Sequence, residues 1–127
     1  MSAIVKEAAM HKRQERTMYK FITKQNTRLM IDLEDRGILF QYVTWCGQRE
    51  DVFEVTQSWA SIHALLAKLR SERQYAAWDK SFQVWMQDQE LCLKFRALDT
   101  KLEEECNFSA EETVRIMDFL GRAPNLN

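Results

Sequence analysis

The chain has 127 residues, of which 46% are hydrophobic and 29% charged, with a formal net charge of −1. That is enough for one real core, too little for two ordinary domains, and too apolar for wholesale disorder; the charge total points to neither a strongly basic nor a strongly acidic partner. Three Gly and one Pro are few for an all-β sandwich or barrel, which turns often and uses those residues to do so.

From about Ser2 to Arg36 the apolar residues Met18, Phe21, Ile22, Leu29 and Leu33 fall on one side at helical spacing. The spacing predicts a long amphipathic helix, with Gly37 as its left-handed cap. The other side carries Lys12, Arg13, Arg16, Lys20 and Lys24, with Arg28 at its flank. Residues 1–36 hold eight Lys/Arg against five acids, a surplus of three positive charges. Such a face could contact phosphates or an acidic partner, or be solvated and paired within the chain.

Residues 38–46 are β-branched and aromatic between Gly37 and Gly47, which reads locally as a strand. A lone strand leaves its backbone groups unpaired, so a short buried helix on Leu39, Tyr42, Val43 and Cys46 is the preferred reading. Asp51-Val52-Phe53-Glu54 has capping-box character, and Val55, Trp59, Ile62, Leu66 and Leu69 follow as a narrow helical seam to about Arg70. Between Glu72 and Cys106, Trp78, Phe82, Trp85 and Met86 form one helical face. Leu91, Phe95, Leu98 and Leu102, with Val84, form another on the opposite side. Either this helix breaks near Gln87–Glu90, or it is unbroken and covered on two sides, which would make Val84, Leu91, Phe95, Leu98 and Leu102 a protein interface. Ser109-Ala110-Glu111-Glu112 opens the last helix as a capping box after Phe108. Val114, Met117 and Leu120 form its inward stripe with Ile116 and Phe119 alongside, Gly121 closes it and Pro124 prevents its resumption.

The fold expected is therefore all-α, a compact bundle of four to six helices spanning residues 1–123 with a mobile tail at 124–127 and no internal repeat. The three cysteines, Cys46, Cys92 and Cys106, are odd in number and show no metal-ligand spacing, which fits reduced thiols in a cytoplasmic protein. No apolar run spans a bilayer, and no signal segment is visible. His11 and His63 sit in no metal or nucleophile motif, and no phosphate-binding glycine pattern occurs. No catalytic residue, metal, cofactor or small-molecule substrate is identified. The expected function is that of a non-enzymatic interaction protein, an adaptor, inhibitor or small subunit that binds a protein partner or itself through an apolar helix face. The alternatives are a nucleic-acid-associated protein, in a ribonucleoprotein for instance, and an enzyme of unlocated chemistry.

Overall fold

Leu29, Ile31 and Leu33 alternate with Met30, Asp32 and Glu34, and Ile38, Phe40 and Tyr42 alternate with Leu39 and Gln41. A period of two puts the first set on one face of a sheet, and in the computed structural model, which describes residues 18–122, that is what the chain does. Four strands come first: β1 (Met18–Ile22), β2 (Arg28–Glu34), β3 (Gly37–Cys46) and β4 (Arg49–Ser58). The helix α1 (Trp59–Glu72) follows. The pattern then recurs as β5 (Gln74–Ala76), β6 (Phe82–Gln87), β7 (Glu90–Arg96), β8 (Glu103–Asn107) and α2 (Ala110–Leu120). Each group of four strands forms its own antiparallel sheet in sequential order, β1-β2-β3-β4 and β5-β6-β7-β8.

The all-α expectation is thus overturned: about half of the described residues are in strands and only two short helices accompany them. The long first helix is a hairpin from Met18 onward, and its earlier part lies outside the described residues. Residues 38–46 are strand, and their partners are β2 and β4. The span from Glu72 to Cys106 is neither one helix nor two beyond the end of α1 but four strands. The helix begun at Asp51 starts instead at Trp59. Ser58 is its N-cap, whose Oγ accepts from the backbone N–H of Ser61 at 3.1 Å. The last helix lies where its sequence signal places it, with Ser109 Oγ accepting from Glu112 N at 3.1 Å. Its buried stripe is Thr113, Ile116, Phe119 and Leu120, while Val114 is exposed. The order of four strands and a helix occurs twice, a repeat invisible in the residues themselves.

The scarcity of glycine misled because other residues make the turns. Asn26, Arg73, Lys80, Asp88 and Lys101 all have φ between 56° and 65°, a left-handed conformation uncommon outside glycine. Gly47 takes it in the β3–β4 hairpin, at φ 67°. Gly37 is not a left-handed cap. It opens β3 where a Cβ would stand 2.0 Å from the carbonyl oxygen of Gln57, so only glycine lets β3 and β4 approach there.

The inner faces of the two sheets meet through aromatic rings. Phe40 stacks on Phe82 with centroids 5.0 Å apart, and Tyr42 lies parallel to Phe95 at 5.2 Å. The helices close the rest of the core by crossing between units. α1 contacts β5 and β6 of the second unit, and α2 contacts β1 of the first. The β1–β2 turn clasps the second sheet: Lys24 N donates to Asn107 O at 2.8 Å, and Lys24 Nζ pairs with Glu90 at 2.8 Å. One hydrophobic cluster consequently includes residues from both sheets and both helices.

Candidate protein-docking cleft

Among the described residues β4 is an edge strand, paired on one side only, with β3. Facing its other side are the β5–β6 turn (residues 77–81) and the β7–β8 turn (residues 97–102), brought from the second unit. Between them lies a cleft of about 910 Å³, along which residues 51–58 run as a continuous wall. Alternate backbone groups of an edge strand point away from its partner and offer a template for another strand.

Large apolar side chains rim this cleft. Trp78 is 95% exposed, Leu98 50%, Leu102 56% and Val52 45%. A tryptophan this exposed is unusual, since indole rings normally lose most of their surface to the core. The floor is the aromatic core itself, where Phe53 and Phe95 stand 6.4 Å apart. Among the described residues the charged lining is Asp51, Glu54, Asp79 and Asp99 against Arg96, and Asp51 pairs with Arg49 at 3.1 Å. Asp79 accepts from Ser81 N at 3.0 Å and Ser81 Oγ at 2.7 Å; the backbone bond above all holds its carboxyl below the ordinary value and keeps it charged. Among the described residues, the buried Nε of Arg96 has no hydrogen-bond partner. A buried donor without an acceptor costs about 1–3 kcal/mol.

The expected apolar interface divides. Val84, Leu91 and Phe95 are core residues, 2%, 2% and 0% exposed. They alternate along β6 and β7 and so share the inner face of the second sheet. Leu98 and Leu102 lie in the cleft rim. Sequence reasoning missed Trp78, which helical spacing assigned to a core face, and missed the edge of β4. The basic face is dispersed as well. Lys12, Arg13 and Arg16 lie outside the described residues. Lys24 is paired with Glu90, and Arg28 with Glu50 at 3.1 Å. Lys20 is exposed on the outer face of the first sheet, in register with Met30, and along the same row stand Gln41 and Glu54.

Three further ionisable groups, Tyr42, Cys92 and Cys106, are buried. Tyr42 shares its hydroxyl with Thr27 Oγ1 at 2.8 Å, and burial raises its pKa. Burial also pushes the Cys92 thiol up and the Cys106 thiol up to about 12. No group of three or more His, Cys, Asp or Glu among the described residues could hold a metal ion. No helix among them is long and apolar enough to cross a membrane.

No family model and no curated protein matches the chain. A solved structure does: the chain is similar to one in the crystal structures of Trypanosoma bruciei MRP1/MRP2, with a TM-score of 0.66 and 14% identity over 93% of this chain and 91% of that one. At that identity the likeness is one of fold.

Proposed function

Starting from a fold shared with that structure, we propose that the protein is a non-enzymatic interaction protein that docks a protein partner in the cleft beside β4. The observation that carries this reading is the 95% exposure of Trp78 on the rim of a cleft whose wall is an unpaired strand edge. Burying Trp78 contributes roughly 1.5–3 kcal/mol and each of the half-exposed Leu98 and Leu102 about half as much, roughly 3–6 kcal/mol together. Association itself costs about 4–15 kcal/mol. The side chains alone therefore support weak binding, and backbone hydrogen bonds along β4 supply the remainder.

The nucleic-acid alternative has less behind it. Two of the three described members of the basic face, Lys24 and Arg28, are engaged with carboxylates. An enzyme working through Cys92 or Cys106 has less behind it as well, since both thiols are buried and shifted upward, away from the thiolate a nucleophile requires.

The test is a peptide-display selection on the immobilised protein. Recovered peptides are expected to lose at least tenfold in affinity for Trp78→Ala and Leu98→Ser variants of unchanged thermal stability, and to bind Lys20→Glu normally. Peptides indifferent to the cleft substitutions, or a selection that yields none, would overturn the reading.

A further inference from the structure

Building on the docking reading above, we infer that the occupant of the cleft is a cationic peptide segment, which adds to the β4 edge as an extended strand and lays Lys or Arg side chains against Trp78 and the acids around it. Three features of the cleft carry this. Its wall is eight consecutive residues of an edge strand, so the complementary ligand is itself extended and pairs through its backbone. Its charged lining among the described residues is four acids against one base, and even with Asp51 paired to Arg49 the balance is negative, which attracts positive and repels negative side chains. Its most exposed aromatic, Trp78, leaves its indole ring open to solvent, and such a face is a good seat for a guanidinium or ammonium group.

A second copy of this chain is the poorer occupant. Glu50 and Glu54 share one face of β4 while Arg49 and Asp51 pair at 3.1 Å on the other, and edge-to-edge pairing of two such strands would set glutamates beside glutamates even with Arg28 on Glu50. Like charges directly opposite in a ladder are destabilising, whereas alternating Lys or Arg on the incoming strand turns the same row to advantage.

The experiment titrates the full chain with two fluorescent nine-residue peptides of alternating Val and charged residues, one with Lys/Arg and one with Glu/Asp in the same positions. The cationic peptide is expected to bind at least tenfold tighter at 50 mM salt, and the preference to shrink at 500 mM. Backbone N-methylation at one set of alternate residues is expected to abolish binding, and at the other set to leave it intact, because only one set faces β4. Glu54→Lys and Asp99→Lys together are expected to reduce or invert the charge preference without altering thermal stability. Equal binding of both peptides, indifference to which set is methylated, or dimerisation through this edge in sedimentation would each overturn the inference. If display-selected peptides still require Trp78 and Leu98 while the cationic peptide does not bind, the inference fails and the docking reading stands. If cleft substitutions affect no peptide, both fail.

Discussion

Replacing Phe95 by Ala tests the placement of the sheets against each other. Phe95 is fully buried, lies parallel to Tyr42 at 5.2 Å, and meets Phe82 at 5.3 Å and Phe53 at 6.4 Å. It therefore touches rings from both sheets at once, and its removal leaves a cavity the rigid strands cannot close. Phe-to-Ala changes at such sites cost about 3–5 kcal/mol. With an unfolding entropy of about 2.1 cal/mol/K per residue, the 127 residues give about 0.27 kcal/mol/K, so Tm is expected to fall by about 11–19 °C. Leu98→Ala, in the half-exposed rim, is expected to change stability by less than about 0.5 kcal/mol, or about 2 °C. Calorimetry on both variants, with urea titration as a second measure, decides the matter. If Phe95→Ala does not fold, Phe95→Leu gives a smaller loss that remains measurable. A Phe95→Ala Tm within 4 °C of the parent, or a Leu98→Ala loss of equal size, would refute the core assignment and return both residues to a single surface stripe.

Gly37→Ala is expected to cost at least about 1–3 kcal/mol, since its Cβ would press into the backbone of Gln57 and Ser58; a neutral change in the urea midpoint would contradict the close approach of β3 to β4. The hydrogen bond from Lys24 holds the Glu90 carboxyl below its ordinary value of 4.5. A depressed folded value stabilises above the unfolded pKa and ceases to do so as pH falls through the folded one. The Tm gap between parent and Glu90→Gln is therefore expected to be steady at neutral pH and to close below about pH 4.5, and a gap that widens with acid would be the opposite result. Cys106, 3% exposed with its thiol at about 12, is expected to resist aromatic disulfide reagents at pH 8 until the chain unfolds. Rapid native-state labelling mapped to Cys106 by mass spectrometry would show that β8 is not packed as described.

Some of this molecule is local. The Ser109 N-cap, the acids Glu111 and Glu112 in the first turn and Gly121 delimit α2 because caps act on backbone groups within one turn. Trp59, Ile62 and Leu69 mark the inner face of α1 for the same short-range reason, although its start lies at Ser58 rather than Asp51. The strands were legible only in part. Met18, Phe21 and Leu29 satisfy a helical period, and Leu29, Ile31 and Leu33 a strand period, so the two readings compete on residues alone. What decides between them is pairing, and the partners of β3 are β2 and β4, whose backbone groups no local pattern reports. Turns made by Asn26, Lys80, Asp88 and Lys101 rather than glycine removed the usual punctuation. The cleft belongs wholly to tertiary structure. Its wall is residues 51–58 and its rim comes from residues 77–81 and 97–102, so Trp78 comes to stand across from β4 only when the second unit folds against the first.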